Sequence, residues 1–231
     1  MTMKVQAVLF DLDGVIINSG ADIALSVNAA LEAFGYKTLP EDVLVSFVGD
    51  GAKKLLIRAL EYQNADAANM KNFQEFFEWY VDWYRKNPVN KTVLYPGMYE
   101  LLETLKEKSV YAAVVSNKPL SVAQTILAHF KIGGFFDAVI GPERLSKIKP
   151  DPEGLSLAAS DIEKKRGVRL ERSRIIMVGD SASDIQAGRA FGCMTCAVTE
   201  GLGNREKLLR EQADIVVPYA GDLKNSGLFS A

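Results

Sequence analysis

The sequence is poor in the residues that most often carry zinc, redox or imidazole chemistry. Its 231 residues include one histidine, His129, and two cysteines, Cys193 and Cys196. The cysteines are spaced C-x-x-C, but no second Cys or His pair accompanies them, so neither zinc binding nor a redox role is favoured. We expect both to be core thiols, and we expect His129 to lie at the end of a helix rather than to act as a base.

Long apolar runs and clustered positive charge are also missing. No apolar stretch reaches 18 residues and no signal-peptide pattern follows Met1, so we expect no membrane association and a cytoplasmic location. The net charge is −2 and the basic residues are spread along the chain, which does not indicate nucleic-acid binding. The chain is 48% hydrophobic and long enough for a substantial core in one or two domains.

What the sequence does contain is a pair of carboxylates directly behind an apolar run. Asp11 and Asp13 follow residues 5–10 and start on one face of a predicted strand, and Gly14 lets the chain turn away. Two like charges in a small space require a cation or a shared proton. The pair therefore indicates either a metal site or two carboxylates with divided acid and base roles.

Polar residues also end the later apolar runs. Ser116 closes the run 110–115, Asp180 and Asp184 follow the run 175–178, and Lys149 lies between them in Lys-Pro-Asp-Pro. In an open α/β sheet, ligands bind in the crevice outside the carboxyl ends of the strands. We therefore expect these side chains to converge on one site.

This set of donors favours phosphoryl transfer. Acidic oxygens without a nearby His or Cys pair suit a hard ion such as Mg²⁺. A hydroxyl group and an ammonium group suit a phosphate. One aspartate of the first pair would attack phosphorus and the other would handle the proton of the leaving and incoming oxygens.

The chain resembles the haloacid dehalogenase superfamily, whose four motifs it carries in order: Asp11 with Asp13, then Ser116, then Lys149, then Asp180 with Asp184. That superfamily consists mostly of Mg²⁺-dependent phosphatases. The resemblance implies that Asp11 is the nucleophile that forms an aspartyl-phosphate and that Asp13 is the general acid and base. It implies that Ser116 binds the phosphoryl group and that Lys149 steadies that group and the nucleophile.

The same resemblance implies a Mg²⁺ site. Asp11, Asp180 and the main-chain carbonyl of Asp13 would be ligands, and Asp184 would hold the metal shell directly or through a water.

A narrower resemblance covers nearly the whole chain. Residues 11–31, residues 49–55 and residues 179–188 look like the phosphoglycolate phosphatase group, which hydrolyses 2-phosphoglycolate. Val15 replaces the Thr that is commonest in that group and Asn18 replaces its usual Asp. Both changes occur in sister groups, so a phosphatase or phosphomutase for another small sugar phosphate is the alternative.

The segment after residue 48 is a candidate substrate loop. Gly49 and Gly51 would offer backbone N–H groups to the crevice, and Lys53 and Lys54 would neutralise a small anionic tail. A plain turn between two helices is the alternative reading of this segment. Asn117, next to Ser116, is a further candidate for contact with the substrate.

The periodicity predicts two units. Helical spacing from about residue 21 to 90 predicts an inserted all-helical cap, residues 19–92, within a core of residues 1–18 and 93–231. The core alternates strands and helices, which predicts an α/β, doubly wound parallel sheet. The predicted strands lie near residues 5–10, 110–115, 138–140, 174–178, 194–198 and 214–217.

One rival function is not enzymatic. A signalling receiver also uses a phosphoaccepting Asp, a hydroxyl residue, a Lys and Mg²⁺, but it is shorter, has no large lid and carries its Asp on a middle strand. We therefore favour the enzyme, with a small phosphorylated metabolite as its partner and a monomer or homodimer as its assembly.

Overall fold

A computed structural model describes residues 4–65 and 72–229. Its main element is a six-stranded parallel sheet with the strand order β5-β4-β1-β6-β7-β8, and two very short strands, β2 and β3, form a separate antiparallel pair. All six predicted strands are confirmed. The strands are β1 (Ala7–Phe10), β2 (Ile17–Asn18), β3 (Val93–Leu94), β4 (Tyr111–Val115), β5 (Ala138–Ile140), β6 (Ile175–Gly179), β7 (Met194–Val198) and β8 (Ile215–Val217).

In the described part of the chain between β2 and β3, where the helical insertion is predicted, there are four α-helices. They are α1 (Gly20–Ala33), α2 (Glu41–Ser46), α3 (Ala52–Glu61) and α4 (Phe73–Lys86). The fold is thus the predicted α/β sheet with an all-helical insertion, while the predicted unit boundaries at 18/19 and 92/93 stay a prediction. Five helices follow the insertion: α5 (Met98–Glu107), α6 (Leu120–His129), α7 (Glu153–Arg166), α8 (Ala182–Phe191) and α9 (Arg205–Arg210).

Strand β1 separates two apolar cores. Its side chains alternate, so Val8 and Phe10 join the cluster that contains buried residues of α5, α6 and the inserted helices, while Ala7 and Leu9 join the cluster formed with α7 and α8. A strand buried on both faces reads as a continuous apolar run, which explains the sequence of β1.

The register of β1 places the site. Phe10, its last residue, pairs with Val114 of β4 and Val178 of β6. Asp11 therefore leaves the sheet between the ends of these two strands, close to the residues that follow them.

The two expectations about thiols and histidine are confirmed. Cys193 and Cys196 are free and buried, and burial raises the pKa of both thiols to about 12. His129 is the exposed last residue of α6 and packs edge-on against Phe130. Within residues 4–65 and 72–229, no helix has both the length and the apolar content that crossing a membrane requires.

A buried carboxylate joins the start of the insertion to its end. Oδ2 of Asp22, in α1, accepts hydrogen bonds from the backbone N–H groups of Asn90, Lys91 and Thr92 at 2.9, 2.9 and 2.7 Å, and from the Thr92 hydroxyl at 2.6 Å. Burial alone would raise the pKa of Asp22, but the Thr92 hydroxyl and these backbone donors outweigh it and lower the pKa. The ionised form of Asp22 therefore stabilises the fold.

We predict that Asp22→Asn destabilises the protein. The amide is close in shape but loses the charge-assisted bonds, so the free energy of unfolding should fall by about 1–3 kcal/mol at pH 7. Because the folded pKa is lowered, the contribution is present above the ordinary pKa of 3.8 and is lost as the pH falls through the lowered value. Urea unfolding at pH 7 and at a pH well below 3.8 measures both effects.

Glu32→Gln is the matched control, since Glu32 is an exposed acid of the same helix. If Asp22→Asn lowers the stability at pH 7 no more than Glu32→Gln does, the hydrogen bonds from Asp22 to residues 90–92 do not stabilise the fold as described.

Candidate active site

A buried lysine lies at the centre of the strand ends. Nζ of Lys149 is 3.0 Å from Oδ1 of Asp11 and 2.6 Å from Oδ1 of Asp184, and it donates a hydrogen bond of 2.7 Å to the carbonyl of Val115. Burial lowers the pKa of Lys149, but the charges of Asp11 and Asp184 outweigh burial and the pKa is raised. The lysine is therefore a permanent cation between two strand ends.

Three carboxylates converge beside this lysine. Asp11, Asp180 and Asp184 each offer an oxygen, and these oxygens lie within 4.8 Å of one another. Burial, together with Asp184 and Asp13, raises the pKa of Asp11 to about 6 in spite of Lys149. Burial, followed by the charges of Asp184 and Asp11, raises the pKa of Asp180 well above its ordinary value. One ammonium group does not balance three carboxylates.

The donors of this cluster fit Mg²⁺. All three are carboxylate oxygens, the ligand type of a hard divalent cation, and a cation there would favour the ionised forms that burial opposes. The carboxylate of Asp13 is not part of the cluster found among the described residues. The assignment of its main-chain carbonyl to the metal stays a prediction.

Backbone groups hold Asp180 in position. Its Oδ2 accepts hydrogen bonds from the N–H groups of Leu202 and Gly203 at 2.7 and 2.8 Å. Gly14 has a φ of +83°, and a Cβ on it would lie 1.8 Å from Oδ2 of Asp180. Only a glycine therefore lets the loop after β1 approach the loop after β6 so closely.

Asp184 has two roles at once. Its Oδ2 accepts hydrogen bonds from the backbone N–H and the hydroxyl of Ser181 at 3.1 and 2.6 Å, which caps α8, while its Oδ1 faces Lys149. Asp184 therefore caps α8 and contacts the site lysine at the same time.

The loop after β4 supplies Ser116 and Asn117. The backbone N–H of Ser116 donates to the carbonyl of Ile140 at 3.0 Å, and its side chain lines the same pocket as Asp11. Asn117 accepts from the N–H of Lys149 at 3.2 Å and donates to the carbonyls of Lys149 and Gly49 at 3.3 and 3.5 Å. Asn117 therefore connects the loop after β4 to the loop that carries Lys149 and to Gly49, which lies between α2 and α3.

The pocket lies between the strand ends and the insertion. It encloses a cavity of about 50 Å³ and brings together six polar residues of the core and a mostly apolar face of the insertion. Gly51 has a φ of +88°, and a Cβ on it would lie 3.3 Å from Cδ1 of Ile148, so the loop before α3 packs closely on the core. The insertion contributes Ile23, Val48, Gly49, Gly51, Ala52, Leu55 and Tyr80 to the lining.

The structure does not bring Lys53 and Lys54 into this pocket. Both side chains are exposed, and Nζ of Lys53 lies 5.2 Å from the ring centre of Phe77 in α4. Gly49 and Gly51 do line the pocket, but the two lysines that follow them on α3 point elsewhere.

Another lysine, which is not among the candidate residues predicted from the sequence, contacts Asp13. Nζ of Lys118 lies 3.0 and 3.2 Å from the two carboxylate oxygens of Asp13 and 2.8 Å from the hydroxyl of Tyr84 in α4. The hydroxyl of Ser19 also donates to Asp13. Lys118 follows Ser116 by two residues, as Asp13 follows Asp11. This spacing could have indicated Lys118 as a site residue from the sequence alone.

A model of the haloacid dehalogenase-like hydrolase family matches residues 8–198. The chain belongs to this family. It is therefore a hydrolase, and the signalling-receiver alternative is wrong.

Curated relatives and solved structures agree over nearly the whole chain. The phosphoglycolate phosphatase of Haemophilus influenzae is 38% identical over 207 residues, covering 87% of this chain and 88% of the relative. That of Mannheimia succiniciproducens is 34% identical over 226 residues, covering 96% and 98%. The crystal structure of a predicted phosphoglycolate phosphatase from Haemophilus somnus 129Pt superposes with a TM-score of 0.86 at 31% identity, covering 98% and 99%.

We predict that Mg²⁺ raises the melting temperature of the free protein. A cation relieves the repulsion among the three carboxylates, and at a hundred times its dissociation constant it adds about 2.7 kcal/mol, or roughly 5–10 °C for a chain of this size. Asp180→Asn should abolish most of this shift. Differential scanning fluorimetry with and without a chelator measures it.

Asp42→Asn, an exposed aspartate of α2, is the matched control and should keep the full shift. A wild-type melting temperature that does not respond to Mg²⁺, or an equal response in Asp180→Asn, would show that the cluster is not a metal site.

Proposed function

We propose that this hydrolase is a Mg²⁺-dependent phosphatase that converts 2-phosphoglycolate to glycolate and phosphate through a phosphoryl group carried on Asp11. The observation that carries the proposal is the position of Asp11. Its carboxylate lines the pocket, contacts Lys149 and belongs to the three-carboxylate cluster, with a second carboxylate, Asp13, in the same pocket.

The substrate is proposed from the relatives. The relatives that match over most of the chain are named phosphoglycolate phosphatases. The two free, buried cysteines agree with the cytoplasmic location that we propose for the enzyme.

In the first step, an oxygen of Asp11 forms a bond to phosphorus while the bond from phosphorus to the ester oxygen breaks. Asp13 donates a proton to that ester oxygen, and glycolate leaves. Ser116 and Lys149 hold the charge on the transferring oxygens. Bound Mg²⁺, held by Asp11, Asp180 and Asp184, would supply charge neutralisation between the anionic carboxylate and the anionic phosphate.

In the second step, Asp13 takes a proton from a water molecule. The oxygen of that water forms a bond to phosphorus, the bond between phosphorus and Asp11 breaks, and inorganic phosphate is released. The inserted helices restrict the access of bulk water to the pocket, so that hydrolysis waits until the first product has left.

We predict that 2-phosphoglycolate has the highest kcat/KM in a panel of small phosphomonoesters, assayed by phosphate release. A sugar phosphate ranked first would support the alternative of a sugar-phosphate phosphatase. Conversion of a sugar phosphate to its isomer without net phosphate release would support a phosphomutase.

The same assay tests the two carboxylates. Asp11→Asn should show no turnover, because an amide does not attack phosphorus, and Asp13→Asn should be slower by about 10²- to 10⁴-fold, the usual effect of a positioned acid or base. The exposed Asp42→Asn should retain the wild-type rate. Wild-type activity in a folded Asp11→Asn would refute the mechanism.

A further inference from the structure

Lys118 is a buried cation that the two steps above do not use. Its side chain is 3% exposed, yet it lines the pocket. Burial of an ammonium group is costly unless it is paired, and Asp13 and the hydroxyl of Tyr84 provide partners. Nζ contacts Oδ1 and Oδ2 of Asp13 at 3.0 and 3.2 Å and the Tyr84 hydroxyl at 2.8 Å, which matches the three N–H donors of an ammonium group. A ligand in the pocket would bind by replacing the longest of these contacts, that with Oδ2 of Asp13.

The position of Lys118 relative to Asp13 fits the second anionic group of the substrate. Asp13 must lie within about 2.6–3.2 Å of the ester oxygen in order to protonate it. In 2-phosphoglycolate a single methylene separates that oxygen from the carboxylate. The carboxylate must therefore lie beside Asp13, where Nζ of Lys118 is found at 3.0 Å from Oδ1.

No other cation among the described residues that line the pocket competes for this role. The lining contains Lys118 but neither Lys53 nor Lys54, which are exposed on α3. Lys149 is not among the lining residues, and its ammonium group is paired with Asp11 and Asp184.

The insertion fixes the direction of the Lys118 side chain. Tyr84 of α4 is fully buried and accepts from Nζ. Burial, together with the charges of Asp13 and Asp22, raises the pKa of Tyr84 well above its ordinary value. The hydroxyl therefore stays neutral and orients the ammonium group without cancelling its charge.

We propose that Lys118 is a specificity-determining residue that binds the carboxylate of the substrate, separately from the phosphoryl group held by Ser116 and Lys149. This inference rests on the proposed function. It assigns the preference for a carboxylate-bearing ester to the loop after β4 and not to helix α3.

The test compares 2-phosphoglycolate with its neutral amide, carbamoylmethyl phosphate, by kcat/KM. The wild type should prefer the carboxylate by about 10- to 100-fold, the usual effect of one hydrogen bond to a charged partner. In Lys118→Met this preference should fall to within about threefold of unity. Lys164→Met, an exposed lysine of α7, is the matched control and should keep the full preference.

Because Lys118 also contacts Asp13, the preference ratio is the readout and not the absolute rate. An equal loss on both substrates would show that Lys118 only positions Asp13, and an unchanged preference in a folded Lys118→Met would show no contact with the carboxylate. Either result overturns the inference and leaves the proposed function standing. Loss of the preference in Lys53→Met or Lys54→Met instead would assign the carboxylate to α3.

A second variant and a further substrate keep the inference testable if Lys118→Met does not fold. Lys118→Gln keeps donors towards Asp13 and Tyr84 and should lose the preference in the same way. The further substrate is used with the wild type alone and has one more methylene between the ester oxygen and the carboxylate. This moves the carboxylate away from Asp13, so kcat/KM should be about tenfold lower than for 2-phosphoglycolate. Equal values for the two substrates would overturn the inference. A wild type that does not hydrolyse 2-phosphoglycolate would instead refute the proposed function.

Discussion

The contact of one buried ammonium group with two carboxylates organises the site. Lys149 lies between Asp11, which follows β1, and Asp184, in the first turn of α8, and it also binds the last carbonyl of β4. A buried ammonium left without these partners would be strongly destabilising. The contact therefore joins the ends of β1 and β4 to the first turn of α8.

The same contact leaves negative charge in excess. Lys149 does not cancel the charges of Asp11, Asp180 and Asp184, and burial raises the pKa of Asp11 to about 6. A divalent cation would resolve this imbalance and keep Asp11 ionised, the form in which it would act as the proposed nucleophile. The electrostatics of the folded chain thus favour binding of a cation at the three carboxylates, and a bound cation would in turn favour the ionised form of Asp11.

The strands and the polar residues at their ends were predictable because they depend on local patterns. Period-two alternation and the connection rules of parallel sheets bring Asp11, Ser116 and Asp180 to one edge. The contact of Asp13 with Lys118 spans 105 residues, and that of Asp22 with Thr92 spans 70, so no local pattern contains them. The direction of Lys53 depends on the rotation of α3 against α4, which packing decides.

Trapping of the covalent intermediate tests the central claim most directly. Wild-type protein is mixed with ³²P-labelled 2-phosphoglycolate and Mg²⁺, quenched with acid within milliseconds and digested. The account predicts up to one label per chain, removable by hydroxylamine as an acyl phosphate is, on the peptide that contains Asp11. Turnover without a labelled Asp11 peptide, or a label on any other residue, would contradict it.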